Sequence, residues 1–425
     1  MWETTCENQR KQGGQTPGIF VESESNPMVE GQVLRTLLIV GLITGLVIAA
    51  FGAGVGATWL LMHDRTTNAD EAAQFGVFWE AWHLVEQNFL GELPSMQRVA
   101  WGAIRGALAT LDDPHTTFLE PQPRQREKEE LSGRFGGIGA YVTQTEDGRI
   151  VLEPMPDLPA ERAGVRKGDV LLKVDETEIT PDMTVDQVIS LIRGEVGTLV
   201  RLTLQRGGEA QPIVVDIRRE EIPSPSVEWR MLEEAPGIGY IRIILFSSRT
   251  VKELEEAIQE LEGQGMSRLI IDLRGNGGGL FDAAIDTARE FLPDGVVLYQ
   301  VEKGGKEQTF TVKKRGLYAD IPLVLLVDSG TASASEIVAG ALQDRGRAVL
   351  IGQKTYGKGS VQSVFDLSDG SSVHITSAQW LTPNRRQISG QGLIPNLEVA
   401  LSEDDRQQGR DPQLERAIQY LLTGQ

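Results

Sequence analysis

Two residue types that build many catalytic and cross-linked sites are nearly missing from this chain of 425 residues. It holds one cysteine, Cys6, and 4 histidines. A disulfide within one chain and a thiolate metal cage are therefore excluded. A site built on histidine has only His63, His83, His115 and His374 to draw on. Positive charge is also in deficit, with 41 Lys and Arg against 60 Asp and Glu and a formal net charge of −19. Phosphate binding needs clustered cations, so nucleic acid is not expected as a partner.

Long apolar runs are absent too, with one exception. From Thr36 to Met62 there is no charged residue, and the run exceeds the roughly 20 residues that span a bilayer. It is longer than the apolar part of a secretory signal, although Val55-Gly56-Ala57 offers a small-residue cleavage site. Arg10, Lys11 and Arg35 precede it and only Arg65 closely follows. That asymmetry predicts an N-terminus in the cytoplasm and the bulk of the chain outside.

The organisation read from composition and periodicity is a polar, disordered tail over 1–33, a transmembrane anchor over 34–62 and an N-terminal helical region over 69–130. In that region Phe75, Phe78, Trp79, Trp82, Val85 and Phe89 recur at helical spacing, which predicts a buried face. The run "RQREKEE" reads as a solvated helix or linker. Over 131–222 short apolar alternations broken by glycine predict a β-rich module with two short helices. Over 223–402 apolar β-runs alternate with helices, which predicts an α/β core with a mainly parallel sheet, and "SVHITSAQWLTP" as a late antiparallel extension of it. A helix or tail closes the chain over 403–425. The fold class is thus α/β, multidomain.

Three stretches of the core carry chemistry. "SGTASASEIVAGALQD" places four hydroxyls between a strand and a helix, where free N–H groups favour negative charge. Ser333-x-x-Glu336 also fits a capping box, and on this stretch alone capping stands ahead. A nucleophilic serine needs a base. His374 is one candidate. The other is Lys358 in "TYGKGSVQ", flanked by glycines and followed by Gln362, provided burial keeps its amine neutral. "IIDLRGNGGGL" runs from strand through glycines into helix and lacks the phosphate-loop spacing. It suits an oxyanion hole of backbone donors; a plain tight turn is the alternative.

Taken together, these stretches resemble the three hallmark motifs of the carboxyl-terminal processing (tail-specific) serine proteases. "LDDPHTTFL", "FGGIGAYV" and "PAERAGVRKGDVLLKVD" resemble that family's N-terminal turn and its PDZ domain, so the likeness runs from about residue 75 to 400 in order. The resemblance implies Ser333 as nucleophile, Lys358 as general base and Gln362 as the group that orients it. It implies oxyanion donors at Ala334 and Gly279, with Gly278 the lesser choice. It also implies that Gly137, Ile138, Gly139 and Ala140 form a loop capturing a peptide's C-terminal carboxylate.

The expected function is a bacterial, membrane-anchored endopeptidase acting on polypeptides with apolar C-termini outside the membrane. No metal, nucleotide or other cofactor is implied, and homo-oligomerisation is left open. The rivals are a non-catalytic PDZ adaptor on a protease-like scaffold and a serine hydrolase based on His374.

Overall fold

The computed structural model describes residues 69–425, which divide between two compact units, one ending at Pro94 and the other beginning at Ser95. The expected tail over 1–33 and the apolar run over 34–62 lie outside the described residues. Among the described residues no helix is long and apolar enough to cross a membrane.

In the first unit, helix α1 (Ala69–Asn88) carries the aromatic stripe. Phe75, Trp79, Val85 and Phe89 are exposed, contrary to the expectation of burial. It is the one helix among the described residues of its unit.

The second unit opens with α2 (Met96–Ala109), whose first turn donates to Ser95 Oγ, then β1 (Thr117–Leu119) and α3 (Pro121–Ser132). Gly133, at φ 67°, ends α3 in the left-handed conformation and starts the β-rich module. That module contains β2 (Arg134–Gly137), β3 (Ala140–Gln144), β4 (Ile150–Pro154), α4 (Pro159–Arg162), β5 (Asp169–Val174) and β6 (Thr177–Glu178). It continues with α5 (Val185–Ile192), β7 (Leu199–Gln205), β8 (Ile213–Arg218) and β9 (Glu220–Pro223). Strands β3, β4, β5, β7 and β8 form an antiparallel sheet with β3 at one edge, and β2 pairs with β9 beside it. Alternate residues of the strands, including Ile150, Leu152, Leu202 and Leu204, bury against Val188 and Ile192 of α5.

The core follows, with β10 (Val227–Met231), β11 (Ile238–Ile243), α6 (Thr250–Gly263), β12 (Arg268–Asp272) and α7 (Phe281–Phe291). Next come β13 (Val296–Glu302), β14 (Glu307–Thr311), β15 (Leu323–Val327), α8 (Ala334–Asp344) and β16 (Val349–Gly352). After these lie β17 (Ser360–Asp366), β18 (Ser372–Leu381), β19 (Leu397–Glu398), α9 (Glu403–Gln407) and α10 (Pro412–Thr423). The main sheet has the order β10-β11-β12-β15-β16-β19 and is parallel except for β10. Every residue of β15 is buried, as expected where both faces of a parallel strand are covered.

Three expectations change. Strand β18 does not extend the main sheet, because β19 already occupies the edge beyond β16. It joins β1, β17, β13 and β14 in a separate antiparallel sheet. The 69–130 region is accordingly not only helical, since β1 pairs with β18 in the register Thr117↔His374. Residues 403–425 are part of the core rather than a tail, because Ala417 of α10 is fully buried among Ile238, Ile270, Val324, Leu326 and Ile351.

Strands β12, β15 and β16 are neighbours running in one direction. The chain leaves their C-terminal ends through "RGNGGG", "DSGTAS" and "QKTYGKG" respectively. Parallel topology therefore delivers all three motif loops to one edge of the sheet, where α/β folds collect functional groups.

Candidate active site

The four hydroxyls of "SGTASAS" have separate fates. Ser329 is exposed. Thr331 is fully buried and donates to the Leu273 carbonyl at 2.9 Å, and Ser335, also fully buried, donates to the Asn276 carbonyl at 2.9 Å. Both tie the turn to the glycine loop. Ser333 is left half-buried, with no side-chain cap hydrogen bond, on the wall of a cleft of about 450 Å³. Its φ of 55° is unusual for a residue with a Cβ and costs about 1–3 kcal/mol.

Glu336 binds this turn. Its side chain is fully buried, and its two oxygens accept four hydrogen bonds. Oε2 takes the N–H of Ser333 at 2.9 Å and the N–H of Lys358 at 2.9 Å. Oε1 takes Thr355 Oγ1 at 2.5 Å and the N–H of Gly357 at 2.7 Å. The sequence offered Glu336 as a helix cap; it caps, and it also joins the serine turn to the lysine loop.

The glycine loop is held from both sides. Gly275 N–H and Gly330 N–H both donate to Asp328 Oδ1 at 2.9 Å. Buried Asn276 donates to the Ile243 carbonyl at 2.8 Å and accepts the Gly278 N–H at 2.9 Å. Gly278 thus has its donor engaged. Gly279 does not: its neighbours pair with Phe246, while its own N–H and that of Ala334 have no acceptor among the described residues. A Cβ on Gly279, at φ 135°, would sit 2.2 Å from the Phe246 carbonyl oxygen, so only glycine fits. Of the two oxyanion candidates in this loop, Gly279 has the free donor.

Lys358, Gln362 and His374 line the same cleft, with Ser333, Ala334 and Gly279. Lys358 Nζ makes no ion pair or hydrogen bond among the described residues. Burial pushes its ammonium below the ordinary lysine range, while Asp113 and Glu127 pull the other way without cancelling it. Gln362 does not bond the lysine: its Nε2 donates to Ser360 Oγ at 2.9 Å and Thr376 Oγ1 at 3.5 Å. His374 Nε2 lies 3.2 Å from Glu127 Oε2 without hydrogen-bond geometry, and burial lowers the imidazole's affinity for a proton.

The charged run "RQREKEE" departs most from expectation. It lies in α3, where Glu127 and Leu131 face the cleft. Arg124 Nε and Lys128 Nζ bind the two oxygens of Asp366 at 2.8 and 2.9 Å, holding the helix to β17. Its helical spacing of Arg124, Glu127, Lys128 and Leu131 was a signal for one shared face, but nothing in the sequence named the partner.

In the β-rich module, Gly137 ends β2, Ile138 is buried in the module's core, and Gly139 and Ala140 lead into edge strand β3. Gly139 has φ 70°, and a Cβ there would lie 2.4 Å from Leu158 Cβ. Val188 of α5 is core, with Val185 and Ile189 half-buried beside it. An edge strand with a glycine loop at its start is the geometry for adding a peptide strand.

Glu336→Gln should lower kcat by at least about a hundredfold, because an amide nitrogen would face two of the four donors; steady-state peptide hydrolysis checks this, and near-normal kcat would dismiss the bridging role. The electrostatics give a second test. If neutral Lys358 is the reactive form, kcat/KM rises with pH through a midpoint below the ordinary lysine value. Glu127→Gln removes a carboxylate that favours the ammonium, so the rise should move to lower pH; an unmoved or upward-shifted profile would contradict the assignment.

Residues 237–399 match the model of peptidase family S41, and residues 150–206 match a PDZ domain. The chain is 35% identical over 369 residues to a carboxyl-terminal-processing protease of Synechocystis, covering 81% of this chain and 86% of that protein. It is 38% identical to the carboxy-terminal processing protease CtpA of Bacillus subtilis, covering 71% of this chain and 64% of that one. A solved photosystem II D1 C-terminal processing protease is 34% identical, with 75% of this chain and 86% of the other covered at a TM-score of 0.44. With the three motif loops converging on one cleft and a PDZ domain in the same chain, the chain belongs to the carboxyl-terminal processing proteases of peptidase family S41.

Proposed function

We propose that this chain is a membrane-anchored serine endopeptidase that takes the apolar C-terminal tail of a polypeptide in its PDZ domain and cuts it with a Ser333/Lys358 dyad. The observation that carries the reading is the cleft in which the Ser333 turn and the Lys358 loop share the Glu336 carboxylate beside unengaged N–H groups.

In this mechanism neutral Lys358 Nζ accepts the Ser333 Oγ proton as Oγ bonds to the substrate carbonyl carbon. The N–H groups of Gly279 and Ala334 hold the oxyanion. As the C–N bond breaks, the Lys358 ammonium returns the proton to the leaving amine. Water then attacks the acyl-enzyme with Lys358 again as base. Gln362 lines the same cleft as the lysine and, through Ser360 and Thr376, supports its wall rather than bonding the amine. Tail recognition is supported by the free edge of β3, the glycine loop Gly137–Ala140 and the apolar positions Val185 and Ile189.

The native full chain should degrade a denatured protein with an apolar C-terminus, and both Ser333→Ala and Lys358→Ala should abolish cleavage. Losing activity in His374→Ala while Lys358→Ala retains it would transfer the base to His374, and an inert wild type would favour a PDZ adaptor. The anchor and the extracytoplasmic location rest on the uncharged run Thr36–Met62 and its flanking charges. A membrane-impermeant protease added to spheroplasts should digest the catalytic unit; complete protection would reverse the orientation.

A further inference from the structure

The glycine loop that carries Gly279 has few means of holding its own shape. Gly275, Gly277, Gly278 and Gly279 contribute no side chains, and glycine leaves the backbone free to sample many conformations. Asn276 fixes the inner end of the loop, as described. At the outer end the backbone is bound by Asp328 and Thr331, and the side chain that ties it down is that of Arg274, the second residue beyond β12. Its guanidinium binds Asp272 through Nε and one terminal nitrogen, the latter at 2.6 Å. Asp272, braced by Tyr240 Oη at 2.7 Å, belongs to the strand from which the loop departs, so this contact is local.

The contacts that reach another element come from the end of the chain. Asp411 receives both terminal nitrogens of Arg274, at 2.9 and 2.8 Å, in a two-pronged pair. Gln413 Oε1 accepts a further bond from Arg274 at 2.9 Å, and its own amide donates to the Val399 carbonyl at 2.8 Å. Gln413 is fully buried. Asp411 also caps α10 by accepting the Leu414 N–H at 3.0 Å. One carboxylate therefore both starts the C-terminal helix and grips the loop that leads to the oxyanion donor.

We propose that Asp411, supported by Gln413, is a positioning residue for the oxyanion loop, so that the C-terminal segment sets the aim of the Gly279 N–H through Arg274. This rests on the proteolytic reading above. An interaction that aligns a donor only with the tetrahedral state changes kcat and leaves ground-state binding alone. A pair that merely adds stability would leave the kinetics of the folded enzyme unchanged.

The test uses the full chain and compares wild type with Asp411→Asn, which keeps the shape and the helix cap, and with Arg274→Lys, which keeps the charge and loses the fork. Three quantities are read: kcat and KM for a peptide substrate, affinity for a peptide boronate that forms a tetrahedral adduct on serine, and affinity of a tail peptide for the PDZ domain. The expected result for both variants is a loss of about tenfold to a hundredfold in kcat, a parallel loss in boronate affinity, KM within about twofold, and unchanged tail-peptide binding. Asp411→Glu should recover part of the loss. If either variant keeps full kcat, or neither folds, the proposal is overturned and the contact is one of stability alone. A wild type that neither cleaves the peptide nor binds the boronate overturns the proteolytic reading itself.

Discussion

The site depends on one buried carboxylate. Placing the Glu336 side chain inside the core removes it from water, which is costly unless donors replace the lost solvent. Four do, and they come from two separate loops. Satisfying the carboxylate therefore fixes the Ser333 turn and the Lys358 loop against each other. The same arrangement accounts for the positive φ of Ser333. Its N–H is directed at Glu336, while the flanking hydroxyls at 331 and 335 bind the glycine loop, so the Ser333 hydroxyl is the one left facing the cleft.

Around that carboxylate the parallel sheet does the coarse positioning. Neighbouring strands end in the glycine loop, the serine turn and the lysine loop, and each loop is then joined to the next by hydrogen bonds. Asp328 holds the first two together through the N–H groups of Gly275 and Gly330. The Tyr356 N–H donates to the Thr331 carbonyl at 3.0 Å and joins the second to the third. Most of the loop donors are paired in this way, and the N–H groups of Gly279 and Ala334 are among those left without an acceptor among the described residues.

Much of this was legible in the sequence because it is encoded over short spans. The alternation of apolar β-runs and helices pointed to the parallel core, though not to β13 and β14. "GTASASE" offered a capping box and "YGKG" a glycine-flanked lysine, and it was the family resemblance that singled out Ser333 and Lys358. What the sequence hid lies in pairings between distant segments. The contact of Arg124 with Asp366 and of Glu127 with His374 turns a run read as solvated into a wall of the cleft. The hydrogen-bond choice of Gln362 depends on where Thr376 of β18 falls, and β18 itself joins a sheet whose other members come from three different parts of the chain. The bond between Arg274 and Asp411 was invisible for the same reason, since nothing local distinguishes an arginine that ends a strand from one that anchors a loop.

The electrostatics of Lys358 follow from this long-range assembly. A half-buried amine loses hydration, which favours its neutral form, yet two carboxylates stand close enough to oppose that change. Both Asp113 and Glu127 precede the PDZ domain in the chain, and neither is adjacent in sequence to the lysine. Asp113 is itself held in a turn by Thr116 Oγ1 at 2.7 Å and the His115 N–H at 3.0 Å. Glu127 is held by Arg124 at 2.6 Å on a helix pinned to β17. The field at the lysine is thus set by how the segment leading into the PDZ domain lies against the core. Burial alone would make a stronger commitment to the neutral amine. The two carboxylates temper it, so the balance between neutral and charged amine is set by groups that lie far from the lysine in sequence.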